Sequence, residues 1–410
     1  MYRSFIVGLA ATAMFIAFLL LEQLVAIKAR RRFRVVIHVN GTRGKSTVTR
    51  MIHAVLREAG YQAWGKTTGT EPRLLLPDGA ERVIRRIAPA NVREQRNMAL
   101  RAAIAGADAL VFECNAVRPE LQRVSSEYLK PDLLVITNAR LDHRPEQGSA
   151  EEAAMTFAAT IPVGGAVASS DMVRRALWQE AADSRNARFL FVDPVDGAGL
   201  GDLSESVACA LAVADWLGVP RPRATKAIAG HRADPGAFRL HSWSGSGGAR
   251  IWFADASAAN DPESTDRLAD LALEQAGADG PASESASGCN QGTAGSEGRP
   301  RAKCVLVVAN RPDRPDRALL FVNYAMTGCS QGGRYDEVAF MGPLPLQSRL
   351  ALRRSGIRYR FIQNAEALDD LDSFGATTVE TMIVAAGNRG GPGKDLHAWA
   401  LARAGRIVTE

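Results

Sequence analysis

The chain has 410 residues, 46% hydrophobic and 23% charged, which excludes a wholly disordered protein and leaves room for two or three domains. Its net charge of +6 is local: Arg3, Lys28, Arg30, Arg31, Arg32 and Arg34 flank one N-terminal apolar stretch, and without them 44 basic residues face 44 acidic ones. So balanced a body excludes a broad nucleic-acid footprint.

Residues 4–21, SFIVGLAATAMFIAFLLL, carry no charge, and about 20 apolar residues suffice for a helix to cross the hydrocarbon. One arginine precedes this run and a dense basic cluster follows it. That asymmetry predicts a single-pass anchor with basic flank over residues 1–34, at the inner (cytoplasmic) membrane, with the body in the cytoplasm. A cleaved signal peptide would have one arginine as its n-region, and no secreted-looking chain follows it.

From Arg34 onward strand and helix patterns alternate. RVVIHVNG reads as a strand, KSTVTRMIHAVLREAG as a helix ending at Gly60, and ADALVFECNA and PDLLVITNA as buried strands. The pattern predicts an α/β fold, with a P-loop-type, largely parallel-sheet ATPase domain over residues 35–235. Such sheets place ligands at the carboxyl ends of their strands, here the loops after residues 39, 113 and 137. SVACALAVADWLGV (206–219) reads as a buried helix stopped by Gly218 and Pro220. A boundary is expected near 235, where RADPGAFRL leads into a new strand. ARIWFADAS, KCVLVVANR, DEVAFMG and TMIVAAGN then supply four more strands of a smaller Rossmann-like domain over 236–410. The Gly/Ser/Ala-rich stretch 275–300 is predicted to be a flexible surface insertion without catalytic duty. Cysteines 114, 209, 289, 304 and 329 form no CxxC pair, which predicts separate reduced thiols and no cysteine-based metal site.

Gly41-Thr42-Arg43-Gly44-Lys45-Ser46-Thr47 follows a strand and opens a helix. Its glycines permit a tight turn whose N–H groups, with the helix N-terminus, make an anion site. Lys45 can reach outer phosphates, and the Ser46 hydroxyl can bind Mg²⁺. A standard Walker A loop would need glycine at position 39, which is Val39. The shorter GTxGKST form resembles that of Mur-type amide ligases and of folylpolyglutamate synthase.

Further along, KTTGTEP (66–72) presents Thr67, Thr68 and Thr70, and the resemblance implies a loop facing the γ-phosphate and magnesium, with Thr70 a candidate metal ligand. Glu113 ends an apolar strand, where a carboxylate needs a partner or a hard cation. Arg118, on the same loop, is a candidate clamp for an anionic substrate. TNARLDHRPE puts Asn138 at a strand end and Asp142 and His143 beyond it. The loops bearing Lys45, Glu113 and His143 are expected to converge on one sheet edge. These three are the candidate catalytic residues, with Glu113 and His143 also candidate metal ligands. The resemblance implies a metal-binding histidine at this place and an asparagine near the nucleotide. In the second unit, Arg239 is a candidate phosphate contact and Asp255 a candidate ribose contact of a lid domain. Asn260 and Arg311 are candidate substrate contacts, although the run NRPDRPDR also fits a solvated charged loop.

Taken in order, GTRGKSTVTR, GKTTGTE, ECNAVRPE, the Asp-His pair after TNAR, ADPGAFR, AANDPEST and NRPDRPDR resemble the ligase subunits of poly-γ-glutamate synthases, which also begin with one membrane helix. The resemblance covers nearly the whole chain apart from 275–300. It implies ATP and Mg²⁺ as cofactors, glutamate and a growing poly-γ-glutamate chain as substrates, and small integral-membrane subunits as partners. The implied reaction joins glutamates through the γ-carboxylate by way of an acyl phosphate. Two other readings stay open: a Mur-type ligase acting on folate or a cell-wall precursor, and a membrane-tethered ATP-binding sensor. The chain departs from the Mur pattern in places. No lysine occurs between Lys130 and Lys226, where Mur ligases commonly use a carbamylated lysine to hold a second magnesium. Ser204 or Ser206 stands near the place of an expected asparagine, and Ser257 where a lysine is frequent.

Overall fold

The N-terminal run folds, in the computed structural model, into α1 (Tyr2–Arg30), of which Phe5–Arg30 is long and apolar enough to cross a membrane. The structure describes residues 2–69, 71–86, 90–140, 144–194, 203–232, 238–245, 248–259, 261–278, 303–330, 332–374, 380–404 and 406–407. The chain divides into two compact units, Met1–Asp234 and Pro235–Glu410.

The first unit continues through β1 (Val35–Asn40), α2 (Lys45–Glu58), β2 (Ala63–Lys66), β3 (Arg73–Leu75), β4 (Glu81–Val83), α3 (Arg93–Ile104), β5 (Ala109–Glu113), α4 (Pro119–Leu129) and β6 (Leu133–Ile136). It is completed by α5 (Arg144–Gln147), α6 (Ala150–Ala158), β7 (Ala166–Ser169), α7 (Arg175–Asp183), β8 (Arg188–Phe191), α8 (Ser204–Trp216) and α9 (Arg221–Ala229). The strands form one sheet in the order β4-β3-β2-β5-β1-β6-β7-β8. Five neighbouring pairs from β2 to β8 are parallel, and β3 and β4 add a short antiparallel edge that the sequence pattern did not reveal. Central β1 is buried along its whole length, as a parallel strand covered on both faces must be. In α2 the buried residues Val48, Met51, Ile52, Val55 and Leu56 recur at helical spacing and pack with Ile37 of β1 and Leu211 of α8. Phe112 and Leu110 pack with Ala102 and Ala103 of α3 in a second cluster.

Register decides where the chemistry lies. Val39 pairs with Glu113 of β5 and Asn40 with Ile136 of β6, so the loops after β1, β5 and β6 leave the sheet at one edge.

The second unit contains β9 (Leu240–Ser244), β10 (Arg250–Asp255), α10 (Pro262–Ala278), β11 (Lys303–Ala309), α11 (Pro315–Gly328), β12 (Glu337–Met341), α12 (Leu346–Ser355), β13 (Tyr359–Ile362), β14 (Thr381–Gly387), α13 (Pro392–Arg403) and β15 (Arg406–Ile407). Its sheet runs β13-β12-β11-β14-β10-β9-β15, with β9 antiparallel to both neighbours and the other pairs parallel. The four expected strands are β10, β11, β12 and β14; β13 and β15 are additional. Residues 275–278, expected to open the insertion, are instead the last turn of α10, and the rest of that stretch lies outside the described residues.

Candidate active site

The loop between β1 and α2 is built around Gly41. Its φ is +121°, and a Cβ there would sit 2.2 Å from Thr137 Oγ1, so only glycine fits. Gly44, with φ +77°, precedes α2, and no side chain caps the helix. The first-turn N–H groups are thereby left for an anion. Neighbouring strands hold the loop. Asn40 donates to Gln122 Oε1 at 2.9 Å, and its own Oδ1 accepts from Gly41 N–H at 2.9 Å. Thr42 N–H donates to the Asn138 carbonyl at 2.9 Å, and Arg43 N–H to Asn138 Oδ1 at 3.0 Å. Lys45 folds back across the turn, its Nζ donating to the carbonyls of Gly41 at 2.8 Å and Thr42 at 3.1 Å. Ser46 and Thr47 lie on the first turn of α2.

Glu113, only 3% exposed at the end of β5, faces this turn. Its Oε2 accepts from Ser46 Oγ at 2.8 Å and from Thr68 N–H at 2.7 Å. Gln95 Nε2 fixes the Glu113 main chain by donating to its carbonyl at 2.7 Å. Glu113 Oε1 makes no hydrogen bond among the described residues. A hydroxyl and a carboxylate beside a phosphate-type loop are the hard oxygen donors that Mg²⁺ takes alongside phosphate and water. No group of three His, Cys, Asp or Glu side chains placed to hold a metal occurs among the described residues. The other two expected ligands, Thr70 and His143, lie outside the described residues, as does Asp142.

Behind Glu113 lies a network that sequence reading missed. Lys66, wholly buried at the end of β2, places Nζ 2.9 Å from the Glu94 carboxylate and 3.3 Å from Gln95 Oε1. Arg86 makes two bonds to Glu94, at 2.7 and 2.9 Å. Burial alone would raise the Glu94 carboxyl, but Arg86 and Lys66 outweigh it and hold the pKa at about 2. Burial pushes the Lys66 ammonium down. His38, inside β1, is pushed down to about 3 by burial and by the charge on Lys66, so it is neutral. The one available signal was a lysine closing the short strand AWGK, a position that demands a partner.

Asn138 is oriented from α8. Its Nδ2 donates to Glu205 Oε2 at 3.2 Å, and Arg140 pairs with the same carboxylate at 3.2 Å. Ser206, next along, lies close enough to Gly44 that a Cβ on the glycine would come within 3.1 Å of its hydroxyl. Arg118 is exposed just before α4, on the loop that follows Glu113.

In the second unit the expected contacts have partners of their own. Asp255, 1% exposed at the end of β10, accepts on Oδ2 from Arg389 Nη1 and from His397 Nδ1, each at 2.7 Å, and on Oδ1 from Ser257 Oγ at 2.5 Å. Burial would raise this carboxyl, but His397 and Arg389 hold it well below the usual range. Asp255, the candidate ribose contact, thus anchors Arg389 within the second unit. Arg239 is half-buried, and its carbonyl accepts from Asp255 N–H at 2.8 Å. Arg311 pairs with Asp313 at 2.7 Å after β11, and a Cβ on Gly390 would lie 2.8 Å from its Nη1. Arg317 reaches Asn388 Oδ1 at 2.7 Å. The loops after β11 and β14 therefore meet at one edge of this sheet, with Ala309 and Gly387 in register. Arg389 and His397 went unnoticed, although GNRGGPGK after a buried strand was a readable signal. Asn260 lies outside the described residues.

Comparison with known proteins places residues 39–194 in the Mur ligase middle domain and residues 240–402 in the poly-gamma-glutamate synthase CapB C-terminal domain. The chain is 33% identical over 275 residues to the capsule biosynthesis protein CapB of Bacillus anthracis, covering 64% of this chain and 59% of that protein. It is 34% identical over 218 residues to the PGA synthase CapB of Bacillus subtilis (strain 168), covering 50% and 55%. These matches span less than two thirds of either relative. Among solved structures, MurF from Acinetobacter baumannii superposes with a TM-score of 0.61 at 18% identity, over 94% of this chain and 80% of its own. E. coli FolC in complex with DHPP and ADP gives 0.61 at 16% identity, over 93% of each chain. At those identities the likeness establishes a Mur ligase-like α/β fold.

Proposed function

We infer that this chain, which pairs a Mur ligase middle domain with a poly-gamma-glutamate synthase CapB C-terminal domain, is an ATP-dependent amide ligase that extends poly-γ-glutamate. The observation that carries the reading is the Ser46–Glu113 pair at 2.8 Å beside an uncapped helix N-terminus and Lys45. Both CapB relatives and the ADP-bound FolC complex support it.

In this reading the first-turn N–H groups of α2 bind the inner phosphates of ATP. Lys45 exchanges the Gly41 and Thr42 carbonyls for outer phosphate oxygens. Ser46 and Glu113 hold Mg²⁺, with Thr70 and His143 as proposed further ligands; the ion, when bound, supplies positive charge against the transferring phosphoryl group. The γ-carboxylate of the terminal glutamate attacks the γ-phosphorus, and the bond to ADP breaks. The amine of the next glutamate then attacks the activated carbonyl carbon; the C–O bond to phosphate breaks and the nitrogen loses its proton. Lys45 and the loop N–H groups act by positioning and by opposing negative charge. Asn138, held by Glu205, is proposed as a nucleotide contact, and Arg239 as a phosphate contact. Arg118, Asn260 and Arg311 are proposed contacts for glutamate and polymer carboxylates.

The helix α1 is proposed as a single inner-membrane anchor, its basic flank on the cytoplasmic side with the catalytic body. Small integral-membrane subunits are the proposed partners. Membranes containing chain and partners, given ATP, Mg²⁺ and labelled glutamate, should release ADP and form labelled polymer. ADP release stimulated by a folate or wall precursor and indifferent to glutamate would overturn the assignment, as would nucleotide binding without turnover.

A further inference from the structure

Where α1 meets the body it lines, together with α3 and α4, a half-open cavity of about 320 Å³. Phe18, Leu21, Val25, Ala99, Leu100 and Leu129 form its apolar wall, and Glu22, Arg30 and Arg96 lie at its polar margin. We propose that this cavity holds one acyl chain of a membrane phospholipid. The proposal rests on the reading of α1 as a membrane span.

Three observations favour this occupant. The first is continuity: Phe18 and Leu21 line the cavity, yet they are 58% and 61% exposed, on the apolar surface that α1 presents along residues 5–21. A lipid chain lying against α1 can therefore pass into the cavity without crossing water. The second is size. A membrane-spanning helix about 10–12 Å across and about 30 Å long displaces roughly 2,400–3,400 Å³, many times the space here. A single polymethylene chain displaces far less and is narrow enough to enter. Water gains little in such a space, because an apolar wall offers few hydrogen-bond partners.

The third observation concerns charge. Glu22 pairs with Arg96, and Arg30 is spent on Asp132 at 2.6 Å and on the carbonyls of Lys130 and Phe33 at 2.8 and 3.3 Å. The margin is neutralised internally, so the site reads the chain and not the headgroup. Its occupant would also brace α3 at Arg96, next to Glu94 and Gln95, which hold Lys66 and the Glu113 main chain.

The test uses the full chain in phosphatidylcholine–phosphatidylglycerol vesicles carrying a phosphatidylcholine with a mid-chain diazirine, with labelled residues mapped by mass spectrometry after irradiation. Label is expected within residues 97–100 and 128–129 as well as along α1. Ala99→Trp, which fills the cavity, should lower the label on α3 and α4 about tenfold, the effect of roughly 1.4 kcal/mol of lost binding, and leave residues 5–17 labelled as before. Leu100→Trp serves as an independent filling variant. Label confined to α1 in the unsubstituted chain would overturn the cavity site while leaving the membrane reading intact. Label on α3 that both variants leave unchanged would overturn it too. No label anywhere on the chain would overturn the membrane reading itself.

Discussion

The hydroxyl of Ser46 donates to the carboxylate of Glu113 at 2.8 Å, joining the first turn of α2 to the end of β5. The Thr68 N–H donates to the same Glu113 Oε2 at 2.7 Å and steadies it. Substituting Glu113→Gln keeps shape and most hydrogen bonding but removes the charge. ADP release should fall about 10²–10³-fold, while the melting temperature moves little. An ADP-coupled assay over a magnesium series, with a thermal melt alongside, checks both.

Lys45→Ala removes the cation that spans the loop. Its two bonds to the Gly41 and Thr42 carbonyls are worth about 1 kcal/mol each. Stability should therefore drop modestly, whereas turnover should be lost. Circular dichroism melts and ADP release distinguish this from general unfolding.

Two glycines with similar backbone sign should respond differently. Gly41→Ala drives a methyl to 2.2 Å from Thr137 Oγ1, and Gly60→Ala, at φ +86°, meets nothing within 4 Å. The second should cost about 1–2 kcal/mol from conformation alone, the first clearly more, with nucleotide binding lost. Denaturant unfolding of both variants supplies the comparison.

Buried histidines make stability depend on pH, His38 and His53 among them. Burial lowers His38 to about 3 and His53 to about 4, from ordinary values of 6.5. Between those limits the unfolded chain takes up protons that the folded chain refuses. Stability should be complete above about pH 6.5 and decline as pH falls toward 4 and 3. Denaturant midpoints measured from pH 7.5 to 5 should show that decline, with a shallower slope for His38→Gln.

Asp255→Asn leaves Arg389 and His397 facing a neutral amide in a buried place. Removing one member of a buried charged cluster costs about 3–5 kcal/mol. Thermal unfolding should show the loss, and Ser257→Ala, which leaves the Arg389 and His397 contacts in place, should be milder.

Much of the architecture was legible because parallel strands are continuous apolar runs. β1, β5 and β6 are of that kind, and the glycine loop and Glu113 are adjacent to them in sequence. The antiparallel edge β3–β4 was hidden because strands of three residues carry too little periodicity. The supporting network was hidden for another reason. Lys66 meets Glu94, and Asp255 meets Arg389 and His397, across 28, 134 and 142 positions, and spacing of that length carries no local pattern. The partners of Asp255 were hidden on the same point, since they arrive from the far end of the chain.

Calorimetric titration of the full chain with a non-hydrolysable ATP analogue, with and without Mg²⁺, addresses the magnesium–triphosphate site itself. Binding should require the ion, vanish in Lys45→Ala and weaken sharply in Glu113→Gln. Binding that is indifferent to magnesium, or undiminished in Glu113→Gln, would contradict the site built on Ser46 and Glu113.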